Sequence, residues 1–450
     1  MQQGKVSSPE SMTAPAAHAE TCDVFVLGGG PAGSTAAALL AERGWKVVVA
    51  EKDRHPRFHI GESLLPMNLP LLDRLGVRER VERIAMLKYG AEFNSPRHRD
   101  PVTFEFCGAW DKSHPYSYEV RRAEFDEILF RNCVARGARA FEQTRVTNVE
   151  FDAGREVLVR TRDPDGNERR WRARFLVDAS GRDTYLANQF GIKHRNRKHN
   201  SAAIFGHFAG AKRLPGKAEG NISIFWFDHG WFWFIPLKED VTSIGAVCWP
   251  YYMKSRSGDP QSFLLDTIRL CPTLAERLRD ARLVSPVTAT GNYSYFSERM
   301  YGERYLLLGD AFAFVDPVFS SGVMLAMNSA FLGAEAIDAW LRDPRSALPA
   351  LKNFDREVRH GLRHFSWFIY RMTNPAIREL FMAPRNVLRI QEALVALLAG
   401  DLFRGTPIYW SLRAFKAVYF LTCAMSPLRS LRAWRRRRQI LRNPQSDAAS

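Results

Sequence analysis

Apolar residues run in short blocks through the first third of the chain and fall into helical spacing through its last quarter. Asp23-Val-Phe-Val-Leu27 is a compact apolar run stopped by Gly28-Gly-Gly-Pro-Ala-Gly33. Ser34 to Arg43 then keeps a helical rhythm, and Lys46 to Ala50 is a second apolar run. Residues 22–49 therefore predict strand, tight turn, helix, strand. His59-Ile-Gly-Glu-Ser-Leu-Leu-Pro66 reads as a loop, followed by a helical pattern at Leu69, Leu72 and Leu75. Strands are expected over Val102–Phe106 and Ala140–Phe151. A hairpin is expected over Arg155–Arg172, around Asp163-Pro-Asp-Gly166. Phe175–Val177 should be a buried strand leading into Asp178-Ala-Ser-Gly181.

From about Ala202 to Tyr295 apolar and polar positions alternate, which suits an antiparallel sheet covering one face of a ligand. Tyr305-Leu-Leu-Leu-Gly309-Asp310 returns to the strand–helix style of the opening, and Val323–Leu341 is a helix. Helical spacing then continues from Leu348 almost to the end. Within the middle segment, Trp231-Phe232-Trp233-Phe234-Ile235-Pro236 is apolar throughout. In a strand Trp231 and Trp233 share one face, and Pro236 ends the ladder. Two readings stay open: sheet core, or a wall of two indoles beside a bound ring.

Composition narrows the class. The 450 residues are enough for more than one structural domain. The first twenty or so are small and polar, a disordered leader rather than a signal peptide. No stretch reaches the ~18 uninterrupted apolar residues of a membrane span. Six cysteines without paired spacing point to a reduced, cytoplasmic setting and to no metal site. The net charge of +16 is concentrated: Arg429, Arg432, Arg435, Arg436, Arg437, Arg438 and Arg442 form a basic tail with no acid among them. Leu428, Leu431, Trp434, Ile440 and Leu441 are interleaved with these arginines. The tail suits an anionic membrane surface, an acidic partner or a solvated helix. Nothing accompanies it that would read nucleic acid.

Gly28-x-Gly30-x-x-Gly33 follows a strand and opens a helix, with Glu51 ending the next strand. The glycines permit the tight turn and close approach of a pyrophosphate to the helix N-terminus, while an acid at Glu51 can hold ribose hydroxyls. Gly309-Asp310 resembles the Gly-Asp motif with which flavoprotein monooxygenases hold the ribityl chain of FAD. Asp178-Ala-Ser-Gly181 resembles their other short acidic loop, and Arg122 matches a flavin-contacting arginine. The chain thus resembles the para-hydroxybenzoate hydroxylase type of flavoprotein. That resemblance implies an α/β fold: a Rossmann-like FAD-binding domain (22–200 and 280–340), an antiparallel β-sheet substrate domain (201–279) and a C-terminal helical extension (341–443). The leader is 1–21 and the basic tail 429–442.

Four features resemble the two-component flavin-dependent halogenases within that group: the 59–66 loop; Lys88 in Lys88-Tyr-Gly-Ala-Glu-Phe93; the Trp231–Pro236 strand; and Asp316-Pro-Val-Phe-Ser-Ser-Gly322. The resemblance implies that reduced FAD, supplied by a separate reductase, reacts with oxygen to a flavin hydroperoxide. A chloride or bromide ion held by the N–H groups of Ser321 and Gly322 becomes hypohalous acid, and Lys88 receives it. It also places Gly28, Gly30, Ala32, Gly33, Glu51, Arg122, Asp178, Gly181, Asp310, Pro317 and Gly322 against FAD, and makes Trp231 and Trp233 the partition between flavin and substrate. Read without that resemblance, Lys88 is a solvated helix-end lysine.

One departure bears on the substrate. Halogenases of free tryptophan carry a glutamate before the Ser-Thr-Gly turn, where this chain has Phe319. The implied substrate is an activated ring, a phenol or pyrrole, free or tethered to an acyl-carrier protein. Asn292 stands near the position where some relatives attach flavin through an aspartate, so non-covalent FAD is expected. A flavin-dependent aromatic monooxygenase, a geranylgeranyl-reductase-like enzyme and a membrane-docked flavoprotein without catalysis remain as alternatives.

Overall fold

The computed structural model describes residues 19–152, 156–256, 258–291, 294–372, 374–403 and 405–441. Most of the leader, Arg155 of the expected hairpin, Asn292, Arg442 and the side chains of Arg436 and Ile440 lie outside the described residues.

The opening apolar run is continuous because both faces of its strand are covered. Val24, Phe25 and Val26 are fully buried in Glu20–Leu27. That strand pairs in parallel with Glu168–Asp178 on one side and Val47–Ala50 on the other; Tyr305–Leu307 extends the sheet beyond Glu168–Asp178 and Arg139–Phe141 beyond Val47–Ala50. The Asp163-Pro-Asp-Gly166 turn joins Val157–Arg162 to Glu168–Asp178 as an antiparallel hairpin.

The middle segment forms a second sheet whose central ladders are Ala202–Ala209, Val241–Cys248, Gly230–Pro236 and Ile222–Phe227. It is antiparallel except at one edge, where Gly90–Asn94 pairs in parallel with Ile222–Phe227 and is followed by Val102–Glu105. Those two edge strands come from the segment read as FAD-binding, so the second sheet is assembled from two separated pieces of chain. Three short helices, Pro250–Lys254, Pro260–Arg269 and Pro272–Arg277, interrupt the stretch read as strand. They cover the face carrying Phe225, Phe227, Phe232 and Phe234.

The opposite face carries Trp231, Trp233, Ile235, Phe93 and Phe104. It packs with Phe365, Phe368, Phe381, Leu394 and Phe415 of the C-terminal helices Leu348–Ile369, Pro375–Met382, Ile390–Ala399 and Ile408–Met425. Truncating one buried Phe of such a cluster costs about 3–5 kcal/mol, so the helical extension and the aromatic sheet share one core. No helix among the described residues is long and apolar enough to cross a membrane.

Candidate active site

A cavity of about 340 Å³ opens at the C-terminal ends of the parallel strands and reaches the aromatic face of the second sheet. Its first wall is the glycine turn. Gly28 adopts φ +103°, and a Cβ there would lie 2.4 Å from the Ala179 carbonyl oxygen. Gly30 precedes the Pro31–Glu42 helix, whose first-turn N–H groups have no intrahelical acceptor. Gly30 and Ala32 line the cavity, whereas Gly33 lies behind it, packed so closely on the Gly28 carbonyl that a Cβ would come within 1.9 Å. Glu51 is buried at the wall, and its Oε2 accepts the Gly29 N–H at 2.7 Å. A turn with free N–H groups and a carboxylate at the adjacent strand end fits the pyrophosphate and ribose of FAD.

Arg122 lines the same cavity. Its Nε and Nη2 donate to Asp126 at 2.8 and 3.0 Å, and Nη1 to the Ile60 carbonyl at 2.9 Å. Burial pushes the Asp126 carboxyl up, but the Arg122 charge and hydrogen bonds outweigh it and hold the group below its usual range. Asp310 lies on the floor with its carboxyl raised to about 6 by burial, against the opposing charges of Arg122 and Arg182. Gly181 is on the wall, but Asp178 is not. Its carboxylate accepts the N–H groups of Ser180 at 2.9 Å and Leu186 at 2.7 Å, which folds the loop so that Ala179, Ser180 and Gly181 face inward. Asp178 thus shapes the wall from behind and is not itself on it.

The 316–322 loop is pinned from one side. Asp316 meets His199 Nε2 at 2.6 Å and accepts the Ser201 hydroxyl at 3.1 Å, all three buried. Pro317 and Gly322 line the large cavity. Ser321 lies off it, facing a separate space of about 30 Å³ that also borders Asp310 and the Leu348–Ile369 helix. Gly322 borders both spaces and starts the Gly322–Arg342 helix, whose dipole favours an anion there. Ser320, held at φ +54°, is the serine that faces the large cavity. Sequence reasoning had no signal for it, since neighbouring serines differ only in backbone conformation.

Lys88 is no solvated helix-end lysine. It closes the Met86–Lys88 strand, is 1% exposed, and donates to Ser63 Oγ at 2.7 Å and the Leu64 carbonyl at 3.0 Å. Loss of water drives its pKa down, partly offset by Glu119, whose Oε1 is 3.8 Å from Nζ. Lys88 itself is not on the cavity wall; Ser63 is, so one hydroxyl separates the ammonium from the cavity. Glu119 and the bridging role of Ser63 were missed. Glu119 gave a signal, a carboxylate within the run Ser117-Tyr-Glu119-Val120.

Trp231 and Trp233 line the far wall, each 5% exposed, with ring centroids 6.1 Å apart. Trp233 Nε1 donates to Ser243 Oγ at 3.1 Å, and its ring fits over Gly245, where a Cβ would lie 2.1 Å from Cζ2. The two readings of this strand are therefore compatible, because the same indoles belong to the core and border the cavity. Phe319 packs against Phe365 and Phe368, with centroids 6.4 Å apart in each case. Among the described residues no cluster of three His, Cys, Asp or Glu is placed to hold a metal ion.

Comparison with known proteins agrees with this geometry. The FAD binding domain family matches residues 21–357. Tryptophan 2-halogenase of Chondromyces crocatus is 35% identical over 326 residues; the match takes in 70% of this chain and 60% of that longer protein. The 1H-pyrrole-2-carbonyl peptidyl-carrier protein chlorinase of Pseudomonas fluorescens is 29% identical, over 85% of this chain and 90% of its own length. The solved structure of the myxobacterial chondrochloren halogenase CndH superposes with a TM-score of 0.76 at 34% identity, covering 90% of this chain and 97% of that one.

Proposed function

The chain belongs to the flavin-dependent halogenases of the FAD binding domain family, and from that premise we propose that it halogenates an electron-rich aromatic ring. The observation that carries this reading is the buried Lys88 ammonium, held by Ser63 one hydroxyl behind a cavity that Trp231 and Trp233 also line. When bound, reduced FAD with oxygen supplies the oxidising equivalent that converts halide to hypohalous acid. The residues of this chain do the rest. Gly28, Gly30, Ala32, Glu51, Arg122, Gly181, Asp310, Pro317 and Gly322 hold the cofactor. The helix start at Gly322, next to Ser321, attracts the halide. The indoles exclude an aromatic ring by bulk while small halogen species pass, and Lys88 receives and orients the electrophile.

A phenol or pyrrole is the substrate class. Phe319 offers no acid beside the lysine, and a strongly activated ring reacts with a weaker electrophile. The pyrrole chlorinase match supports a carrier-bound form. Purified protein with FAD, a separate reductase and bromide should brominate members of a phenol and pyrrole panel, offered free and on an acyl-carrier protein, as read by mass spectrometry. Hydroxylated product without halogen would falsify the halogenase reading in favour of a monooxygenase, and a reduced side chain would favour a reductase.

A second feature favours peripheral membrane contact. On the Ile408–Met425 helix, Trp410 (74% exposed), Val418, Leu421 and Met425 (84% exposed) form an outward stripe that continues through Leu428, Leu431 and Trp434. Arg432, Arg435 and Arg438 accompany the stripe. Arg437 is instead tucked inward, donating to the Lys198 carbonyl at 2.7 Å. Exposed apolar side chains with terminal tryptophans and flanking arginines suit an anionic bilayer surface. The protein should pellet with phosphatidylglycerol vesicles at low salt, less at high salt, and hardly at all with phosphatidylcholine; Leu421→Glu with Met425→Glu should remove the binding. Equal pelleting of variant and wild type would exclude this face. Binding to an acidic carrier but to neither vesicle would assign it to protein.

A further inference from the structure

We propose that Glu119 is the positioning residue of Lys88: it holds the ammonium against Ser63 and takes its proton when the free amine is needed. This rests on the halogenase reading of Lys88 given above. The two side chains come from paired strands, Met86–Lys88 and Ser117–Glu119. Their charged ends lie 3.8 Å apart with side-chain exposures of 1% and 0%. Neither Glu119 oxygen is in close hydrogen-bond geometry with a partner among the described residues. A buried carboxylate is normally surrounded by donors; this one has as its neighbouring donors only the Lys88 ammonium and the Ser63 hydroxyl among the described residues, so its oxygens are open to a proton from that side. The 316–322 loop leaves Lys88 no second acid among the described residues: Phe319 is turned into the aromatic core, and Asp316 is taken up by His199 and Ser201.

The surroundings support a shared proton. From the 59–66 loop, Glu62 and Ser63 face Glu119, and Glu62 is itself bonded to His207 at 2.8 Å. Phe106 stands 5.4 Å from the Lys88 ammonium. Burial pushes Glu119 up to about 8 and Lys88 down, and attraction between the two opposes both shifts. The transfer balances within the chain. Nζ gives one proton to Ser63 Oγ while Ser63 gives its hydroxyl proton to Glu119, so ammonium and carboxylate become amine and carboxylic acid. Total charge is unchanged and no redox partner is required.

Four variants of the full-length holoprotein test this: Glu119→Gln, Glu119→Asp, Lys88→Met, and Lys88→Met with Glu119→Gln. In thermal unfolding the double variant should melt above Glu119→Gln alone, since the second change removes the stranded ammonium. Simple addition of the two losses overturns the pair, whatever the enzyme makes. In the pH profile of halogenation, the limb set by Lys88 should move to lower pH by about one unit or more in Glu119→Gln, because a carboxylate that raised the lysine pKa is gone. Glu119→Asp should return it toward wild type, and the pH profile of flavin reoxidation should stay fixed. An unmoved limb in Glu119→Gln overturns the role. If wild type makes no halogenated product at any pH, the halogenase reading and this role fall together, and the unfolding cycle still reports whether the pair stands.

Discussion

Exchanging Lys88 for methionine should lower halogenation by about 10²–10⁴-fold while FAD binding and reoxidation of the reduced cofactor proceed as in wild type. The separation follows from where the side chain sits. Lys88 is absent from the wall of the 340 Å³ cavity and touches it only through Ser63, so removing its amine leaves the cofactor-facing surface intact. Methionine matches the length of the lysine stem among Phe106, Leu64 and Ser63, and it avoids the void that alanine would leave. The Leu64 carbonyl and Ser63 hydroxyl each lose a donor, at a cost of about 1–3 kcal/mol for a buried group left unsatisfied. Glu119 adds little to that cost, since without its cation it is more easily kept as the neutral acid. The check is one reaction read twice, product by mass spectrometry and flavin reoxidation by absorbance. Normal halogenation by the variant would remove Lys88 from the chemistry. Loss of flavin reoxidation along with halogenation would assign it a structural role.

Much of this site was legible in the chain because it depends on local geometry. The Gly28–Gly33 turn, Glu51 and the strand–helix alternation are short-range features, and each fell where its spacing placed it. What escaped was set by pairing between distant segments. Gly90–Asn94 carries no periodicity that distinguishes the two sheets; its parallel ladder with Ile222–Phe227 is decided by where the Phe93 ring finds Trp226 and Phe381. At Asp178 a short acidic loop after a buried strand is ambiguous: the same carboxylate can face a ligand or cap its own loop, and here it accepts two backbone N–H groups. Glu119 depends on pairing between distant segments. Its meaning comes from Lys88, which lies 31 positions earlier in the chain and is brought alongside by the Met86–Lys88 and Ser117–Glu119 pairing.

Replacing Trp233 with alanine should bring out the flavin oxidation that the wall suppresses: hydroxylated aromatic product, or hydrogen peroxide released without product, at the expense of halogenation. Trp233 is the better probe of the two indoles because its seat is specific. Its ring lies over Gly245 and its Nε1 is fixed on Ser243 Oγ. The same facts set the cost. The indole belongs to the core shared with the C-terminal helices, and Trp→Ala in such a core destabilises by about 3–5 kcal/mol. A fall in melting temperature is therefore expected and proves nothing about the partition. Trp233→Phe separates the two effects: it keeps most of the apolar contact and much of the bulk, so its product ratio should stay near wild type while the indole hydrogen bond is lost. The partition predicts that side products rise with the volume removed, from Trp to Phe to Ala, in protein shown to hold FAD at the assay temperature. A ratio that stays constant across the series, while stability falls, would mean that the wall of two indoles is core and nothing else.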